Sequence, residues 1–370
     1  MKILVVQDHL RSGGTERQTV LLANGFNTPP HQAALLTFRP GGALSSSLPT
    51  DLRWSVLQPF DTRLDFWAPG VARRARAEAP DIVLCMGRMA NCYGGYLQRR
   101  LPRAAVVATM RTGKPLPGFF RRSLHQVRHV VANSHDAQAV LRQREGVPAE
   151  RISVIHNSLV FPPSPTAAER PTAAERHTAL RAQLGAGPAT VVLACVAMFR
   201  PEKNQRALLE IVQRLPATAD WQLWFAGDGP ARAECEALAR SARLQERVRF
   251  LGWSADPTRV YRAADVAVLT SRRESLSNFL IEAQAHGLPA VAYDARGVTE
   301  ALLPGRTGFV VPMDDATGFA SQLQRLINDA DLRLSLAQAA SIHARTAFAP
   351  ERQLQAYLDL FSQLRPSFQP

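Results

Sequence analysis

The stretch SRRESLSNFLIEAQAHGLPAVAYDARGVTEALLPGRTG, Ser271 to Gly308, decides the fold. It follows the short apolar run VAVLTS, which reads as a strand. A polar loop comes next, then a helix starting near Ser277 or Asn278. PAVAYD returns as a strand, and GFVVP beyond Gly308 is one strand more. Strands alternating with helices build a parallel sheet covered on both faces.

The same alternation extends in both directions. Upstream lie TVVLACVAMF as a strand, QRALLEIVQRL as a helix, WQLWFAGDG as a strand running into a glycine turn, and VRFLG as a strand. The front of the chain repeats the scheme with KILVVQ, AALLTF, LRWSVL, DIVLCMG, AAVVATM, HVVANS and RISVIHN as strands. Helical stretches such as TERQTVLLANGF, APGVARRARAEA and SHDAQAVLRQREG lie among them. From residue 314 onward the pattern is helical, with a break at Pro350 before ERQLQAYLDLFSQL. Between the two halves, residues 160–188 are rich in Pro and Ala and carry PTAAER twice, at Pro165–Arg170 and Pro171–Arg176. Two copies make no solenoid and read as a local duplication in a tolerant linker. The chain of 370 residues is too long for one ordinary core. We expect an α/β protein with one doubly wound parallel-sheet domain over 1–160, a linker over 161–188 and a second over 189–349. In such sheets ligands sit at the carboxyl ends of the strands, so two sheets facing each other would form a cleft.

Four segments carry chemistry. In the first, Glu274 and Glu282 are separated by seven residues. Glu274 lies in the loop before the helix, and Glu282 less than two turns inside it. A helix N-terminus there offers free backbone N–H groups to an anion, and Glu282 can accept two hydrogen bonds from a diol. The structural alternative is a solvated helix residue at 282 and a dipole partner at 274. In the second, FRPEKNQ places Arg200 and Lys203 in one turn after a strand. Two cations there can hold a diphosphate as charge leaves a sugar; the alternative is a surface pair with Glu202. The third and fourth are the glycine turns RSGGTE, with Gly13 and Gly14, and FAGDGP, with Gly227. Both let backbone approach a ligand closely.

Together these segments resemble glycosyltransferase family 4, which has the GT-B fold. The resemblance runs in order through GGTE, ANS (132–134), VIHNS (154–158), FRPEKN, FAGDGP, RVRFLG, YRAADVAVLTS, ESLSNFLIEAQAHGLP and GRTGFVVP. It implies a retaining transferase that moves a sugar from a UDP- or GDP-sugar to a cell-envelope or lipid-linked saccharide acceptor. The donor would be bound by Gly13, Gly14, Gly227, Gly252, Leu276, Ser277, Asn278 and Glu282, with Glu282 on the ribose. Lys203 and Arg200 would hold the diphosphate, and Glu274 would face the donor sugar. No metal or other cofactor is implied. The resemblance also returns a C-terminal helix, 350–370, onto the first domain. The sequence departs from the family pattern in three places. Ser275 stands where a glycine is usual. Ala197-Met198 stands where Gly-Arg is usual, with Arg200 two residues on. Met110-Arg111 stands where the first domain commonly offers a His. An arginine is no general base at working pH. Arg111 is instead expected to bind an anionic group of the acceptor as a planar double donor. The alternative is a salt bridge that fixes the 110–118 loop.

Charge adds a partner. Residues 1–165 carry 21 Lys+Arg against 10 Asp+Glu, and residues 166–370 carry 23 against 21. A basic front half suggests a polyanion. We expect Arg99, Arg100, Arg103, Lys114, Arg121, Arg122 and Arg128, clustered around Phe119 and Phe120, to dock on an anionic cytoplasmic leaflet. A nucleic-acid-binding protein is the competing class, but the stretch has few interleaved aromatics and no recognition motif. A sugar-nucleotide 2-epimerase of the same fold is the competing enzyme. The one D-x-D, Asp329-Ala330-Asp331, reads as a helix N-cap rather than a metal site. Ile3–Val6 is too short for a signal peptide, and no 18-residue apolar run follows. With four cysteines outside any C-x-x-C spacing, a reduced cytoplasmic protein is expected.

Overall fold

The computed structural model describes residues 1–111, 115–159, 161, 178–254 and 257–365. The duplicated PTAAER segment and Lys114 lie outside them. The chain divides into two compact units. One is built from Met1–Ser158 with the C-terminal segment from Pro350, the other from Leu159–Ala349.

The first unit runs β1 (Lys2–Gln7), α1 (Gly14–Phe26), β2 (Gln32–Thr37), β3 (Arg53–Val56), α2 (Val71–Ala77), β4 (Ile82–Cys85), α3 (Arg88–Arg100), β5 (Ala105–Met110), α4 (Gly118–Leu124), β6 (His129–Ala132), α5 (His135–Gln143) and β7 (Ile152–Val154). Its seven strands are parallel in the order β3-β2-β1-β4-β5-β6-β7. Side chains alternate across the pleat. Leu4 and Val6 therefore enter one core with Val83, Val106 and Val130, while Ile3 and Val5 enter the other with Ile82, Leu84 and Val107.

The second unit runs α6 (Thr178–Gln183), β8 (Val191–Val196), α7 (Gln205–Val212), β9 (Trp221–Ala226), α8 (Arg232–Ser241), β10 (Val248–Gly252), α9 (Thr258–Ala263), β11 (Val266–Leu269), α10 (Asn278–Ala285), β12 (Ala290–Tyr293), α11 (Val298–Ala301), β13 (Gly308–Val311), α12 (Ala316–Asn328) and α13 (Ala330–Ala347). Its six strands are parallel in the order β10-β9-β8-β11-β12-β13. Asp329 caps α13, its side chain accepting from Leu332 N at 2.8 Å. That gives the D-x-D a structural role.

The last helix, α14 (Pro350–Leu364), belongs to the first unit. Its Tyr357 and Phe361 rings pack on Phe26 of α1, with centroids 6.0 and 5.4 Å away. Buried Gln353 donates to Gln18 Oε1 at 2.9 Å and to the His156 carbonyl at 2.8 Å, and accepts from Ser158 Oγ at 2.7 Å. A polar knot thus fixes the helix on an apolar seat.

All four cysteines are free, and Cys85, Cys195 and Cys235 are buried. Burial pushes the Cys195 thiol up to about 12, so it is inert packing rather than a nucleophile.

Strand order reverses between β1 and β4 in one sheet and between β8 and β11 in the other. At such a point the connections leave toward opposite faces, and a crevice opens at the carboxyl ends.

Candidate functional site

In the second unit, β8 and β11 flank the reversal. The turn after β8 is anchored by Phe199, which is buried against Phe225 and Phe250 with centroids 5.5 and 5.9 Å away. Pro201–Lys203 form one 3-10 turn. Asn204 then takes a left-handed conformation, φ 53°, and α7 begins. This turn is bonded to the loop after β11. Thr270 Oγ1 donates to the Asn204 carbonyl at 2.9 Å, and Arg272 N donates to the Glu202 carbonyl at 2.8 Å. Lys203 Nζ lies 2.7 Å from Glu274 Oε1. The two sequence candidates, 71 residues apart, therefore meet across the switch point. Arg200 differs: among the described residues its half-exposed guanidinium pairs with Glu202, at 3.9 Å, a contact worth little.

Beyond Glu274, Ser277 caps α10, its Oγ accepting from Leu280 N at 3.4 Å. Glu282 stands on that helix and accepts from the hydroxyl of Tyr261 at 2.6 Å. Tyr261 is buried, so one carboxylate oxygen is held by a fixed phenol. Sequence reading passed over Tyr261, although it opens the YRAAD segment. Leu276 is buried in the core of this face, so any ligand contact from it is backbone. Ser271 Oγ and Asn278 Oδ1 are buried with no hydrogen-bond partner among the described residues. Unpaired buried polar atoms are rare and call for an explanation. In sequence they flank Glu274.

The glycines of this unit have structural duties as well. A Cβ on Gly227 (φ +148) would come within 2.0 Å of the Ala197 carbonyl oxygen, and one on Gly229 (φ +150) within 2.4 Å of the Phe199 oxygen. FAGDGP thus lets the loop after β9 slide under the turn that carries Lys203. Gly252 (φ +74) supports it from behind, its carbonyl accepting from Gly227 N at 2.8 Å. Gly297 (φ +78), which sequence reading missed, is confined in the same manner: a Cβ on it would come within 2.2 Å of the Ser275 carbonyl oxygen. The chain around Ser275 is therefore closely confined.

In the first unit, Gly13 precedes α1 with extended backbone. Its missing side chain leaves room for Glu16: a Cβ there would lie 2.4 Å from Glu16 Oε2. The chain's own carboxylate thus lies against Gly13 at this helix start. Burial pushes that carboxyl above its ordinary range. At the reversal itself, Asp8 accepts from Met89 N at 2.9 Å and Ala90 N at 2.6 Å, capping α3. Burial pushes Asp8 up to about 7, and the nearby Asp65 and Glu16 charges add to the rise against those two backbone bonds. Sequence reading missed Asp8, since a lone Asp after a strand carries no spacing signal.

Arg111 stands at the end of β5, as expected, but its fork is already employed. One terminal nitrogen donates to Asn157 Oδ1 and the other to the Tyr357 hydroxyl at 2.7 Å. Neither of these partners is a carboxylate, and residues 112–114 of the 110–118 loop lie outside the described residues. The arginine ties a strand end to the C-terminal helix. The basic stretch needs a correction too. Phe120 is buried in the core while Phe119 is 77% exposed. The two do not form one apolar centre, because adjacent residues on a helix point about 100° apart and α4 turns Phe120 inward.

Comparison with known proteins follows the same division. A family model described as Glycosyltransferase Family 4 matches residues 12–159, and one described as Glycosyl transferases group 1 matches residues 190–329. The lipopolysaccharide core biosynthesis glycosyltransferase LpsE of Rhizobium meliloti (strain 1021) is 33% identical over 182 residues, covering 49% of this chain and 53% of the relative. The match thus spans about half the length of that relative. The N-acetyl-alpha-D-glucosaminyl L-malate synthase of Bacillus anthracis is 24% identical over 322 residues, covering 84% of this chain and 81% of the relative. Among solved structures, Anabaena HepE in complex with UDP superposes with a TM-score of 0.80 at 23% identity, covering 98% of this chain and all of the other. The order of motifs, the two parallel sheets and these matches agree: the chain belongs to glycosyltransferase family 4 and has the GT-B fold.

Proposed function

We propose that this chain is a retaining glycosyltransferase that moves a hexose from a UDP- or GDP-sugar to a saccharide or lipid-linked acceptor in lipopolysaccharide or related cell-envelope polysaccharide biosynthesis. The observation that carries the reading is the Lys203–Glu274 pair, 2.7 Å apart at the strand reversal, with Glu282 one short helix away. Relatives named for lipopolysaccharide core biosynthesis and a similar fold solved with UDP support the substrate classes.

In this reading Lys203 faces the donor diphosphate and stabilises the charge that builds as the glycosidic C–O bond breaks. Arg200, half-exposed beside it, adds a second cation. Glu274 orients the lysine and meets the donor sugar. Glu282, with one oxygen held by Tyr261, accepts from the ribose diol. The acceptor hydroxyl attacks the anomeric carbon, its proton passes to the leaving phosphate, and the nucleoside diphosphate departs. No protein base is needed, and no metal is assigned a role. The basic first unit would work beside an anionic cytoplasmic leaflet.

A thermal-shift screen of UDP- and GDP-sugars, followed by NMR of the product's anomeric centre, tests this. Stabilisation by one donor and acceptor-dependent transfer with retention support it. Sugar release without acceptor would point to the epimerase reading, and inversion would overturn the retaining mechanism.

A further inference from the structure

The connection between β3 and α2 displays apolar side chains that no local packing requires. Phe60 is 66% exposed, Leu64 44%, Phe66 59% and Trp67 38%. Four such side chains within eight residues form a patch, and patches on soluble surfaces mark interaction sites.

This loop is braced from within. Buried Gln58 donates to the Leu64 carbonyl at 2.9 Å and the Trp67 carbonyl at 2.6 Å, and accepts from Thr62 Oγ1 at 2.8 Å. Tyr93 of α3 donates to the Phe66 carbonyl at 2.7 Å. The loop's acids are neutralised by ion pairs. Buried Arg39 takes Asp61 with two bonds, at 2.7 and 2.9 Å, and Asp65 at 2.7 Å; Arg11 also takes Asp65 at 2.7 Å. The backbone carbonyls are tied to Gln58 and Tyr93 and the acids are paired with arginines, while the aromatics stay out. The charge left facing solvent is positive: Arg63 in the loop, Arg73 and Arg74 on α2, and Arg99 and Arg100 beyond Tyr96 on α3 are all exposed. Rigid aromatics interleaved with arginines, on a unit with a large positive excess, match the headgroup layer of an anionic bilayer, where aromatic rings and cations are both favoured.

We propose that the Phe60–Trp67 loop is a preformed membrane-interface anchor that seats Phe60, Phe66 and Trp67 among the headgroups of an anionic leaflet while Arg63 meets lipid phosphate. This rests on the reading that the acceptor lies at a membrane, but it moves the contact from the α4 region to a loop and can be read without any transfer reaction.

Sedimentation of the full chain with phosphatidylcholine vesicles, with and without 30 mol% phosphatidylglycerol (about the anionic content that gives a useful surface potential), tests it. Wild type should bind the anionic vesicles, and Phe60→Ser/Phe66→Ser should lower that partition about tenfold or more with an unchanged melting temperature. Arg63→Glu should lower it on anionic vesicles only. Transfer to a water-soluble acceptor should be untouched in all variants, so absent transferase activity with intact vesicle binding would sink the enzymatic reading alone. Wild-type partition by the double serine variant overturns the anchor. So does a change of oligomeric state in that variant with vesicle binding unaffected, which would mean that a second copy covers the loop.

Discussion

Lys203 Nζ and Glu274 Oε1 lie 2.7 Å apart, and the glutamate side chain is only 8% exposed. An ammonium held this way is placed before any substrate arrives. Lys203→Ala should slow transfer about 100- to 1,000-fold at saturating donor. It should also lower stability, because it strands a mostly buried carboxylate. Glu274→Gln keeps the shape and one acceptor oxygen, and should reduce kcat more than donor affinity. Steady-state kinetics with urea melts of both variants check this. A loss below about threefold in Lys203→Ala would assign the diphosphate to Arg200 or to the α10 start.

Glu282 and Tyr261 form the next pair, 2.6 Å apart. A hydrogen bond to a charged group is worth roughly 1.5–3 kcal/mol, so Glu282→Ala should weaken donor binding about 10- to 150-fold. Tyr261→Phe removes only the hydroxyl that orients the carboxylate and should cost a few-fold. Titration calorimetry with the donor nucleotide distinguishes them. Equal affinities in all three proteins would mean that Glu282 is simply a helix residue.

Arg111 supplies a test of structure against acceptor binding. Its two terminal nitrogens are committed to Asn157 and Tyr357. Arg111→Lys keeps the charge but not the fork and should lower the melting temperature by several degrees, on the order of 1–2 kcal/mol. Adding Tyr357→Phe should then cost little more, since the bond is already gone. Full additivity of the two changes, or a raised acceptor KM at unchanged stability, would return Arg111 to the acceptor.

Asp8 makes the first unit pH-dependent. Its carboxyl is pushed up to about 7 in the folded chain. A raised carboxyl pKa favours folding while the group is protonated. Its contribution is therefore complete below the ordinary value of 3.8 and is lost as pH rises through about 7. Asp8→Asn carries no charge to desolvate. The melting temperature of wild type minus that of the variant should fall between pH 4 and 7 and level off above. A difference that stays flat across that range would show that the carboxyl titrates normally.

Much of this protein was legible in one dimension. Period and punctuation located the strands and the start of α10 near Ser277 or Asn278, because amphipathic runs and turn residues act over three or four residues. Order and spacing of the motifs named the family for the same reason. What only the tertiary structure decided depends on contacts distant in sequence. Lys203 meets Glu274 because β8 and β11 are neighbours at the strand reversal, and pairing order is not written in either segment. Arg111 has Tyr357 as a partner because α14 packs on Phe26. Phe119 and Phe120 look alike as a dipeptide, yet the packing of α4 on α3 buries one and exposes the other. The loop from Phe60 to Trp67 carries no motif in the sequence. It is an outward-facing surface because Gln58, Tyr93 and Arg39, from three different parts of the fold, take up its polar groups and leave its rings no interior to enter.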